Sequence, residues 1–145
     1  PFGREAFLVH SNLAVIFVAI SILWTADLMR RGLAGKPGPK LPAWARRFHQ
    51  IVHKTIIWGL FTVGLTGFLL GLTSSVLLKA GGFLPIAPPM GWRHLNEYVG
   101  DFHIIQFYTL AAIVAVHALF HIWRHFRLRD NALCIMVPKT FHKWL

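Results

Sequence analysis

The sequence predicts an all-α integral membrane bundle with three transmembrane helices in this chain. Three observations carry that reading. Of 145 residues, 55% are hydrophobic and 14% charged, against about 25% charged in an ordinary soluble domain. The charges gather between long apolar runs instead of being spread along the chain, as they do where lipid replaces water around the segments. Each apolar run also reaches the roughly 20 residues needed to cross a hydrocarbon core.

The first span covers about residues 6–29 and stops at Arg30-Arg31-Gly32. The stretch that follows, RRGLAGKPGPKLPA, is rich in Pro and Gly and cannot continue a helix. The second span runs over about 44–72, and the third over about 100–127. Between them, residues 73–99 hold three prolines and read as an outer loop along the interface; 128–145 read as a tail. Trp44, Trp92, Tyr98, Trp123 and Trp144 fall near the expected span ends, where interfacial aromatics belong. The whole chain reads as a single membrane domain.

Charge sets the orientation. The net charge is +10, and Arg30, Arg31, Lys36, Lys40, Arg46 and Arg47 fill one linker while Arg124, Arg127, Arg129, Lys139 and Lys143 fill the tail. The other two segments hold only Arg4, Lys79 and Arg93, beside Glu5, Glu97 and Asp101. This asymmetry places linker 30–48 and the tail on the cytoplasmic side. It accounts for the basic residues without nucleic acid, which is not expected as a partner. The first span must then run inward, with residue 1 on the outer face and no apolar segment before it to carry it there. A further span ahead of residue 1 is therefore expected, giving four helices.

Histidines carry the chemistry. Between His103 and His117 there is no Lys, Arg, Asp or Glu, and an ionisable residue inside a span marks a site. On a helix their fourteen-residue gap is about 21 Å of rise and about 40° of azimuth, so they share one face at two depths. His10 opens the first span at the outer depth of His103. Two neutral imidazoles facing each other at one level can clamp a haem iron and leave no open position, which is electron-transfer chemistry. The deeper level belongs to His117 or to His121 one turn on, with a partner from His53 or from the preceding span. His49, His125 and His142 read as interfacial or solvated. Arg93 and His94 could pair with outer haem propionates, and Arg46, Arg47 and Arg124 with inner ones. Gly59, Gly64, Gly67 and Gly71 make the second span a close-packing surface. The single cysteine, Cys134, excludes an internal disulfide, and no C-x-x-C-H is present for covalent haem attachment.

These residues resemble a known family. His103-x13-His117, then His125, then Arg129-Asp130-Asn131-Ala-Leu-x3-Val-Pro138-Lys139, is similar to the last helix and tail of bacterial cytochrome b561. FHQIVHKTIIWGLFTVGLTGFLLGL resembles that family's third helix, with His53 and Gly67 in register, and LVHSNLAVIFVAISIL its second. The resemblance implies helices 2–4 of a four-helix di-haem b protein of the bacterial inner membrane. It implies that His10 and His103 ligate an outer haem, and that His117 holds an inner haem with a histidine of the family's first helix. It implies electron exchange between quinone and an outer-face partner, as in superoxide oxidases that reduce ubiquinone. One alternative is a cytochrome b subunit anchoring a larger dehydrogenase or hydrogenase complex; another is a haem-free scaffold whose histidines only bridge helices.

Overall fold

In the computed structural model, which describes residues 3–32, 38, 40–136 and 138–144, three long helices dominate. They are α1 (Arg4–Arg31), α2 (Ala43–Thr73) and α3 (Arg93–Trp123), all long and apolar enough to cross a membrane. The protein is a multi-pass membrane protein with the lipid bilayer as its solvent. Positions 33–37 and 39 of the expected Pro/Gly linker lie outside the described residues, as do the side chains of Arg4, Lys143 and Trp144.

A 31-residue helix such as α2 is about 46 Å long, so its ends project beyond a core of about 30 Å. Most large apolar side chains face outward, among them Leu23, Met29, Ile105 and Leu119. Lipid is as apolar as leucine, so helix association here depends on close packing and polar contacts instead of hydrophobic burial. Helix α2 is central and packs against both α1 and α3. A Cβ at Gly64 would touch Phe17 and Val18 of α1, at 3.5 and 3.6 Å. The threonines of α2 satisfy themselves by donating to carbonyls one turn back, as Thr55 does to Ile51 and Thr73 to Leu69.

Two differences from the sequence reading concern the connection between α2 and α3. Helix α3 begins at Arg93, not near Gly100, because the prolines that mark the loop end at Pro89 and nothing after them breaks a helix. The loop also folds into an antiparallel hairpin, β1 (Leu78–Ala80) with β2 (Leu84–Ala87). Gly81 and Gly82, at φ 60° and 80°, supply the turn that other residues resist. The backbone N–H of Gly82 donates to Oδ1 of Asn12, tying the hairpin to α1. Beyond it, the N–H groups of Met90, Gly91 and Trp92 return to the carbonyls of Leu72, Ser74 and Thr73, closing the orphan acceptors of the α2 terminus. Asn96 Nδ2 donates to Leu70 O at 2.8 Å and Thr73 Oγ1 at 2.9 Å, fastening the start of α3 to the end of α2.

The opposite, basic end holds the apolar cluster Leu41, Ala45 and Phe120, flanked by Phe48, Trp123 and Leu128. There α3 widens into a π-helical turn, Arg124–Leu128, before Arg129 turns left-handed at φ 48°. The short helix α4 (Ala132–Met136) and a 3₁₀ segment (Lys139–Trp144) follow.

Candidate functional site

Histidines collect at two levels of the bundle. At the hairpin end, His103 of α3 points at α2. Its Nδ1 lies 3.1 Å from Thr66 Oγ1, which in turn donates to Gln106 Oε1 at 2.7 Å. The carbonyl of Val63 is a second acceptor within reach of the ring. The hydroxyl proton has acceptors in Gln106 Oε1 and in the carbonyls of Thr62 and Val63, so its oxygen accepts from His103; that assigns the ring proton to Nδ1 and leaves Nε2 as the lone-pair nitrogen. A Cβ at Gly67 would sit 3.1 Å from Cε1 of His103, so this glycine makes room for the ring. His10, exposed on α1, is near enough to His103 for the two to interact electrostatically.

At the basic end, four rings from two helices meet. His49 and His53 stand one turn apart on α2, and His117 and His121 one turn apart on α3, so each pair shares a helix face. Ring centroids are 4.1 Å apart for His49–His53, 4.5 Å for His117–His121, 4.7 Å for His53–His117 and 5.7 Å for His49–His121. His49 is 3% and His121 5% exposed. Buried nitrogens without a hydrogen-bond partner are His49 Nδ1, His53 Nε2, His117 Nδ1 and both nitrogens of His121. His125 Nδ1 is another, one step outside the group. Unpaired buried polar atoms are rare in a finished fold and point to a missing ligand.

Beside these rings, Arg124 and Asp130 form a buried ion pair, with side chains 3% and 4% exposed. Asp130 Oδ2 accepts from Nη2 at 2.7 Å and Nε at 2.9 Å, while Oδ1 accepts from the N–H of Ala132. Gly38 lies directly over the pair, and Lys40 Nζ donates to Arg129 O, so linker and tail close this end together.

The structure thus brings His10 near His103, and His53 and His121 around His117. Sequence reasoning put His49 and His125 at the interface; His49 is buried in the cluster and His125 is buried just outside it. The H-x3-H spacing of His49 with His53 was the available signal. Arg124, read as a partner for propionates, has its guanidinium engaged by Asp130. Arg46 and Arg47 are exposed, as are His94 and Arg93, whose Nε pairs with Glu97 at 3.1 Å. His142 is on the 3₁₀ tail segment.

The family model for prokaryotic cytochrome b561 matches residues 1–139. Searches of curated proteins and of solved structures found no match. Three membrane helices, histidines at two levels of the bundle and a match over nearly the whole length lead to one assignment: the chain belongs to the prokaryotic cytochrome b561 family, membrane proteins that transfer electrons through b-type haem.

Proposed function

We propose that the protein moves electrons across the bilayer between two histidine-held haem levels and exchanges them with the quinone pool. The observation that carries this reading is the approach of His10 to His103 at one end of α3, with His117 fourteen residues along it at the other.

The residues fit a b-type haem. The acceptors on Nδ1 of His103 leave Nε2 as the nitrogen that would hold the iron, the usual division of labour in a metal-ligating imidazole. Gly67 presents no side chain against that ring. At the basic end, His117 Nδ1 has no hydrogen-bond partner among the described residues. When bound between two histidines, a haem supplies one-electron redox chemistry with no open coordination position.

The remaining steps belong to the chain. His10 and His103 hold the level near the hairpin, and His117 holds the level near the basic end. Thr66 fixes the tautomer and orientation of His103. The excess of Lys and Arg in linker and tail directs the basic end to the cytoplasm of a bacterial inner membrane. Arg93 and His94 then stand at the outer face, where their charge favours an anionic donor such as superoxide. A quinone that becomes a quinol takes up two electrons and two protons, so two one-electron transfers serve each quinone.

Haem per chain, measured in purified His10→Ala, His103→Ala and His117→Ala, tests the site. His10→Ala and His103→Ala should lose the same haem, and His117→Ala a different one. Full haem content in His103→Ala would overturn the assignment. Anaerobically reduced protein that is not reoxidised by a short-chain ubiquinone would remove the quinone step alone.

A further inference from the structure

We propose that His49, His53 and His121 form a binding site for a divalent first-row transition metal ion, with Zn²⁺ the best-suited probe, at the basic end between α2 and α3. This site adjoins the basic-end haem level, with the His53 and His117 ring centroids 4.7 Å apart, but does not use His117.

The donor set makes the case. One nitrogen from each of the three rings can be chosen so that all lie within 4.8 Å of one another. The partnerless buried atoms His49 Nδ1, His53 Nε2 and both nitrogens of His121 belong to these same residues. No serine, threonine, carboxylate or carbonyl among the described residues gives those nitrogens a hydrogen bond. Three converging rings whose buried nitrogens have no hydrogen-bond partner are what a cation would relieve. A tetrahedral ion at about 2.0–2.1 Å from each nitrogen sets them roughly 3.4 Å apart. Small rotations of the imidazoles cover the remaining distance.

The chemistry selects the ion. Imidazole suits Zn²⁺, Cu²⁺, Ni²⁺ and Fe²⁺, whereas Mg²⁺ and Ca²⁺ require oxygen ligands. The site contains none, and Cys134, the chain's one thiol, is not among the three. A cation must also tolerate Arg124 nearby, which acts on the field of all three rings. Asp130 offsets that charge, with both oxygen contacts at or below 2.9 Å. Three imidazoles leave a fourth position for water or another small ligand. With two ligands on α2 and one on α3, the ion would cross-link the two helices at the end remote from the Asn96 contacts.

The test is Zn²⁺ binding to the purified, haem-loaded protein, read by calorimetry and by elemental analysis after removal of free ion. Wild type should bind one Zn²⁺ per chain and unfold at a higher temperature in its presence. His49→Ala should weaken binding at least tenfold while its haem content stays at the wild-type value, and His121→Asn should weaken Zn²⁺ to a similar degree. If an alanine variant fails to fold, His49→Gln keeps the volume and the prediction. X-ray absorption should find imidazole nitrogens around the bound zinc. Zn²⁺ affinity unchanged in His49→Ala and His121→Asn would overturn the proposal. So would loss of haem in step with loss of Zn²⁺ in His49→Ala, which would assign the cluster to the haem instead. Wild-type haem content, counted separately, keeps this outcome apart from failure of the electron-transfer reading.

Discussion

Thr66 on α2 and His103 on α3 are joined across 37 residues of sequence by a 3.1 Å contact between hydroxyl and ring Nδ1. A ligating imidazole that donates its other N–H is a stronger donor to iron and favours the oxidised metal. Thr66→Val removes that acceptor at nearly constant shape, so the midpoint potential of the haem held by His103 should rise. The Val63 carbonyl still accepts, which keeps the shift modest. Thr66→Ser should restore the wild-type value in an optical redox titration. A potential unchanged in Thr66→Val would show that the hydroxyl only supports packing.

Two glycines of α2 should respond differently to the same substitution. A Cβ at Gly67 meets Cε1 of His103 at 3.1 Å, and that ring is held by Thr66. A Cβ at Gly59 meets Cδ1 of Leu110 at 2.7 Å, the far end of a side chain that can change rotamer. Gly67→Ala should reduce haem content at the hairpin end, while Gly59→Ala leaves haem per chain as in wild type.

Asp130 is the counter-charge of a guanidinium with almost no access to solvent. Asp130→Ala leaves Arg124 buried and unpaired, a loss of about 3–5 kcal/mol in comparable pairs. Replacing both, as Arg124→Met with Asp130→Leu, should recover much of that stability. Unfolding midpoints in a detergent titration would rank the three proteins.

Asn96 acts at the other end. Asn96→Leu deletes both bonds to α2 and leaves Thr73 Oγ1 and the Leu70 carbonyl without this donor, at a cost of about 1–3 kcal/mol for each group that stays unsatisfied. Amide exchange should quicken over the first two turns of α3 and over the hairpin, while the basic end keeps its protection.

The spans were readable because length and composition alone decide whether a helix can cross a membrane. His10, His103 and His117 stood out for a related reason, since an ionisable group in an apolar run has few structural explanations. His49 and His125 were misplaced because the nearby Arg47 and Arg124 were read as marking the span ends. Arg124 does not mark a surface: Asp130 lets it sit inside the fold. The hairpin had a signal, Gly81-Gly82 between apolar residues, but three prolines nearby argued for irregular loop. Thr66 carried none, because its partner is defined only when α2 and α3 pack.

The π-helical turn at Arg124–Leu128 has a consequence for how this protein can vary. A π-turn spaces its hydrogen bonds one residue wider than an α-turn, and Asp130 reaches Arg124 only from beyond that widened stretch. Deleting a single residue there would restore ordinary pitch and swing everything downstream by about 100°. Asp130 would then face away from the guanidinium, and Lys40 would lose the Arg129 carbonyl. Side chains along the lipid face can be exchanged for others of similar polarity, but at this corner the chain keeps count, and its length is part of the lock.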